Sequence, residues 1–161
     1  MMFSPQSKVW IYQSSRLFTN SDLAYLNETL TAFTESWTAH TQQLRAGYEI
    51  KYGHFIVLIV DETLAGASGC SIDKSVHLMK EIEEKLGINL FDRFQIAWKN
   101  RDNLTISTKS AFEQLAETGV VNSNTIVFNN LVKDYQEYQT SWETPLANSW
   151  HSRVFNVAEK A

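Results

Sequence analysis

Cysteine is almost missing from this chain. Cys70 is the single one in 161 residues, so no disulfide can close within the chain, and neither a Cys-x-x-Cys redox pair nor a cysteine metal cluster can form. Histidines are sparse and dispersed: His40, His54, His77 and His151 include no His-x-x-x-His or His-Glu-x-x-His pair. Metal binding therefore gains no support, and no cofactor is expected. Basic charge is short too. The chain has 14 Lys and Arg against 18 Asp and Glu, a formal charge of −4, and no basic run. Nucleic-acid binders draw most of their affinity from Lys and Arg at phosphates, so a nucleic-acid partner is disfavoured. The longest apolar run, Phe55-Ile56-Val57-Leu58-Ile59-Val60, is far below the roughly 20 residues a membrane helix needs. The start, Met1 to Lys8, lacks the basic and apolar stretches of a signal peptide. The expectation is a cytoplasmic protein with no membrane partner.

What is present is an ordinary globular composition, 43% hydrophobic and 20% charged. No repeat, low-complexity tract or linker interrupts it, so the chain reads as one domain over 1–161 with an aromatic-rich segment from about 130 to 161. Lys8–Gln13 is rich in β-branched and aromatic residues and reads as a strand. Thr19 and Asp22 have capping-box spacing, and Leu23, Leu26, Leu30, Phe33 and Trp37 then form one helical stripe to about Thr38. Tyr48–Tyr52 alternates, and the run 55–60 follows a turn near Tyr52-Gly53, which predicts a hairpin with a buried second strand. Ser71 is the expected cap of a second helix with a stripe of Ile72, Val76, Met79, Ile82 and Leu86, ended by Gly87. Phe94–Trp98 and Leu104–Ser107 read as paired strands, Lys109–Thr118 as a short helix, and Thr125–Phe128 as a last strand. Pro145 sits where a final helix would open, with Leu146, Trp150 and Val154 along it. Hairpins alternate with helices, which predicts an α+β fold: an antiparallel or mixed sheet with about four helices packed on it.

Two stretches invite a nucleotide-site reading. A phosphate loop runs Gly-x-x-x-x-Gly-Lys-Ser/Thr, its amides wrapping the phosphates. Lys74-Ser75 ends the segment Gly66–Ser75, but Asp73 and Ser68 stand where that frame needs glycine. The apolar run ending in Asp61-Glu62 resembles a magnesium-holding strand, yet it precedes the glycine segment instead of following it. The bland reading is a buried strand ending in surface acids, followed by a capped helix.

The segment Ser68–His77, with Lys8–Gln13 and Leu90-Phe91-Asp92-Arg93, resembles a family of small uncharacterised bacterial proteins, chiefly from Bacteroidetes, whose members are often labelled "ABC transporter ATPase". The resemblance covers the whole chain. It implies a cytoplasmic bacterial protein of this size and supplies no catalytic set.

The remaining chemistry is thin. Cys70 precedes a helix start, where a thiolate is favoured, and Lys74 and His77 follow as possible helpers; the plain alternative is a buried small residue. Asp61 is a candidate acid at a strand end. Ser71 and Ser75 lack a nucleophile-elbow pattern. Tyr135, Tyr138 and Trp142 recur at helical spacing and either pack back on the sheet or form an exposed interaction patch. With no complete catalytic constellation, the expected function is a non-catalytic interaction or adaptor protein with a protein partner or self-association. The alternatives are a small enzyme using the Cys70 thiol and a degenerate nucleotide-binding protein.

Overall fold

The computed structural model describes residues 3–63 and 65–157. In chain order the elements are β1 (Lys8–Gln13), α1 (Asn20–Ser36), β2 (Thr38–Ala39), β3 (Gln42–Gln43), β4 (Arg45–Lys51), β5 (Phe55–Asp61), α2 (Gly69–Leu86), β6 (Gln95–Asn100), β7 (Asn103–Thr108), α3 (Lys109–Glu117), β8 (Ile126–Phe128), α4 (Tyr135–Ser141), β9 (Glu143–Pro145), a 3-10 turn (Leu146–Asn148) and α5 (His151–Val154). This is an α+β fold, and every described strand pair is antiparallel. The strands form three sheets, ordered β1-β5-β4, β2-β3 and β7-β6-β8-β9. The chain divides into two compact units, one running to Phe91 and adding Lys133–Tyr138, the other holding Asp92–Val132 and the chain from Gln139. No composition shift marks the division in the sequence.

In the first unit, α1 starts where the capping spacing places it. The Asp22 amide donates to Thr19 Oγ1 at 3.0 Å, and the Thr19 amide donates to Asp22 Oδ2 at 2.8 Å. Arg16 adds an ion pair to the same carboxylate at 2.5 Å. These contacts, Arg16 first, hold the Asp22 carboxyl below the usual range. Strand β5 lies between β1 and β4 and is buried along its whole length. That explains its unbroken apolar run, because neither face meets water. Register sets Trp10, Leu58 and Tyr48 side by side, and Tyr12 beside Ile56 and Ile50. This face belongs to the core that holds Leu26 and Leu30 of α1 and Met79 and Ile82 of α2. The β4–β5 turn uses Tyr52 and Gly53 at φ +57° and +62°, closed by the His54 amide on the Lys51 carbonyl at 3.1 Å.

Helix α2 begins three residues earlier than a Ser71 cap allows. Ser68 is the cap: the Ser71 amide donates to its Oγ at 3.2 Å, and Ser71 Oγ accepts from the Ser68 amide at 2.6 Å. Ser71 therefore closes the capping box from inside the helix. The buried face is Ser71, Ser75, Met79 and Ile82. Two serines are accommodated on it because Ser71 Oγ donates to the Ser68 carbonyl at 2.8 Å and Ser75 Oγ donates to the Ile72 carbonyl at 2.6 Å. Gly87 ends the helix at φ +65°.

In the second unit, β6 pairs with β7 and touches β8 at Trp98–Val127. Ile96, Trp98, Phe112, Val121, Val127, Leu146 and Phe155 form the core. The single helix expected from Pro145 through Leu146, Trp150 and Val154 is replaced by the 3-10 turn Leu146–Asn148 and the short α5. Pro145 instead ends β9, where Thr144 pairs with Val127, and its φ of −57° with ψ 142° is extended. A residue without an amide hydrogen suits the outer strand of a sheet. The Leu146 amide then bonds the Thr125 carbonyl at 2.8 Å, which turns the chain away from a continuous helix.

Candidate functional site

The acids at the end of β5 are committed to the local backbone. Asp61 is 3% exposed. Its Oδ1 accepts the Thr63 amide at 3.0 Å, and its Oδ2 accepts the Ser4 amide at 3.4 Å with Arg45 Nε at 3.9 Å. The Thr63 contacts lead in holding this carboxyl below its ordinary range. Glu62 turns the other way. Its Oε2 accepts the Ala67 amide at 3.1 Å, and its Oε1 pairs with Lys8 at 3.2 Å. A Cβ on Gly66 would lie 2.6 Å from Glu62 Oε2, so a side chain there would make the carboxylate shift from its present position on the loop. The amides of Ser68, Ser71 and Ile72 are used by the capping box and the first helical turn.

Cys70 is exposed in the first turn of α2, not buried as a small core residue would be. Lys74 and His77 follow on the same exposed stripe. At about 1.5 Å rise per residue, His77 sits roughly 10 Å along the axis from Cys70, beyond hydrogen-bond reach. His77 Nε2 instead approaches Glu81 Oε1 at 3.4 Å. Lys74, His77 and Glu81 line a shallow groove of about 280 Å³ with Phe33, Trp37 and Leu78. Neither Cys70 nor Asp61 borders it. Among the described residues, no group of three or more His, Cys, Asp and Glu is arranged to hold a metal ion.

The aromatic candidates do not form an exposed patch. Tyr138 and Trp142 are buried and Tyr135 is half-buried. Tyr138 donates to Glu49 Oε1 at 2.8 Å, and burial, followed by that carboxylate, pushes its phenol up. Tyr135 packs between the rings of Phe3 at 5.8 Å and Tyr138 at 6.0 Å. Trp142 belongs to the second unit, where its indole donates to Asn130 Oδ1 at 2.9 Å and its ring meets Phe128 edge-on at 5.0 Å. Helical spacing puts aromatic rings on one face, and here the cores absorb that face. The second unit also buries a Ser149–His151 pair with Oγ to Nδ1 at 2.7 Å. At 6% and 1% exposure, the pair is part of the packing.

The outer edge of the first sheet is not legible in the sequence. Among the described residues, β4 pairs only with β5, so its outer edge carries no strand. Beside that edge, Leu23 and Asn27 of α1 and Tyr48–Lys51 and Gly53 enclose an open groove of about 570 Å³. Tyr48 donates to Asn27 Oδ1 at 2.8 Å and lies 3.0 Å from Thr31 Oγ1, which ties helix to strand. Leu17, 60% exposed, reaches over Gly53 at the turn, next to Tyr52 at 40%. The alternation of Tyr48 and Ile50 with Glu49 and Lys51 signals a half-exposed strand, but alternation does not say which strand is outermost. No protein-family model, curated protein or solved structure matches the chain.

Proposed function

We propose that this is a non-catalytic interaction protein whose working surface is the outer edge of β4 with the groove beside it. The carrying observation is that, among the described residues, β4 pairs with β5 alone and lies beside a groove walled by α1. An extended segment laid along such an edge bonds its main chain to the strand, while pockets for alternate side chains select it. Leu23, Tyr48 and Ile50 offer apolar contact there, and Asn27 a polar one. Two of the candidate chemical groups are poorly placed for catalysis: His77 is a long step from Cys70, and the Asp61 oxygens already accept backbone donors. Against nucleotide binding stands Glu62, whose carboxylate holds the Ala67 amide and would repel a phosphate. The cytoplasmic location belongs to the same proposal and rests on the lone thiol and the family resemblance.

Panning phage-displayed random dodecapeptides on the full chain is expected to enrich binders that slow amide exchange across Arg45–Lys51. Leu23→Glu is expected to weaken them about tenfold, the effect of losing roughly 1.4 kcal/mol of apolar contact. Binders that protect another surface and leave β4 exchange unchanged refute the assignment. A second reading, an enzyme using Cys70, is favoured by one observation, the exposure of the thiol.

A further inference from the structure

On the reading of β4 as the interaction edge, we propose that its occupant is the β4 of a second copy, paired antiparallel about a two-fold axis through Gly47. Symmetry narrows the choices. A two-fold that relates antiparallel neighbours stands perpendicular to the sheet, and residues opposite each other share a face. Each β4 residue therefore meets one an even number of places away. Centring on Tyr48 sets Arg45 against Lys51, like against like. Centring on Glu49 sets that carboxylate against itself. Centring on Gly47 sets Arg45 against Glu49 on both sides of the axis, with Ala46 against Tyr48. Opposite charges facing across a strand pair stabilise it, and like charges destabilise it. Only the Gly47 register pairs most of the strand with its charges complementary.

The side chains are placed for this. Arg45, Gly47 and Glu49 lie on one face by their pairing with Asp61, Ile59 and Val57. The Arg45 side chain is 41% exposed and that of Glu49 33%, so water reaches both, although Arg45 approaches Asp61 at 3.9 Å and Glu49 accepts from Tyr138 at 2.8 Å. Gly47 is the crossing point, and the Phe3 ring lies across it: a Cβ there would sit 2.6 Å from Phe3 Cζ. The two-fold brings the two Phe3 rings towards each other over the paired glycines, adding apolar contact where side chains are absent.

Sedimentation velocity on the full chain from about 1 μM to about 1 mM, at low salt, tests the pairing. The expected result is a reversible monomer–dimer equilibrium, with slower amide exchange across Arg45–Lys51 as dimer forms. Glu49→Gln retains an acceptor for Tyr138 while removing the charge, and is expected to weaken the dimer about fivefold. Added salt should weaken the wild type more than this variant. A monomer at the highest concentration overturns the proposal, as does a dimer with unchanged β4 exchange or an E49Q dimer of unchanged strength. A peptide that protects β4 in a strictly monomeric protein sinks the self-pairing and leaves the interaction surface standing; no β4 protection in either experiment removes both.

Discussion

Acidification from about pH 7.5 to about pH 5 should unfold the chain more readily, with His151 as the principal cause. The ring is 1% exposed and stacks on Trp150 at 3.8 Å, with Ser149 Oγ on its Nδ1. Burial lowers its pKa from 6.5 to about 4. The sign follows directly. Between those values the unfolded chain binds a proton that the folded chain refuses, so stability rises with pH. The contribution is fully present above about 6.5 and is lost as pH falls towards 4. Each pKa unit corresponds to about 1.36 kcal/mol, so the full span is worth roughly 3 kcal/mol, of which about 2 kcal/mol is lost by pH 5. Asp22 and Asp61, with carboxyls held below their ordinary range, act at lower pH and leave this window alone. His54, lowered mainly by burial, adds in the same direction, so a variant is needed to isolate His151. Urea denaturation of the wild type and His151→Phe at both pH values supplies the comparison. The variant is expected to lose about 1 kcal/mol at neutral pH, because Ser149 loses its partner, and to show a much flatter pH dependence. An NMR titration placing the folded His151 midpoint near 6.5, or an H151F slope equal to the wild type, refutes the reasoning.

Tyr52 occupies a left-handed conformation that costs a side chain about 1 kcal/mol, so Tyr52→Gly is expected to raise the melting temperature by about 2–4 °C in calorimetry. Ser68→Ala removes the α2 cap and should cost about 1 kcal/mol in urea titration, while Ser71→Ala, if Ser71 were the cap, would cost as much alone. Cys70 is expected to react fully with Ellman's reagent in the native state, with no denaturant; a thiol that reacts only on unfolding contradicts its exposure. Met79→Ala, which empties a fully buried site on α2, should cost about 3 kcal/mol by the same urea assay.

The elements were most legible where local chemistry and packing agree. The start of α1 is written in Thr19 and Asp22, and the interior position of β5 in its unbroken apolar run. The α2 cap lies at Ser68, three residues before Ser71, and sequence does not separate the two because both suit the position and only the reciprocal bonds choose between them. Pro145 read as a helix opening because it serves equally at a helix start and on an outer strand; the deciding partner, Val127, lies far away in sequence. The site was less legible than the fold. Burial of Tyr138 depends on Glu49, and burial of Trp142 on Phe128 and Asn130, none of them near in sequence to its partner except through the fold. The free edge of β4 is a property of sheet order, which pairwise alternation within one strand does not encode.

The nucleotide-like pattern has a physical origin of its own. A buried strand must release its chain at a polar boundary, and Asp61-Glu62 supplies carboxylates there that accept loose amides. Gly66 then leaves room for one carboxylate to fold back as it does here. The next helix then needs a hydroxyl cap, which Ser68 provides. Strand, acid, glycine, serine and helix thus arise together from the need to satisfy the backbone between β5 and α2. A phosphate loop solves the same problem with a bound anion, whereas this loop carries its anion covalently, in Glu62. The two solutions share residue types and differ in who supplies the negative charge, so their resemblance in sequence carries no implication of a shared ligand.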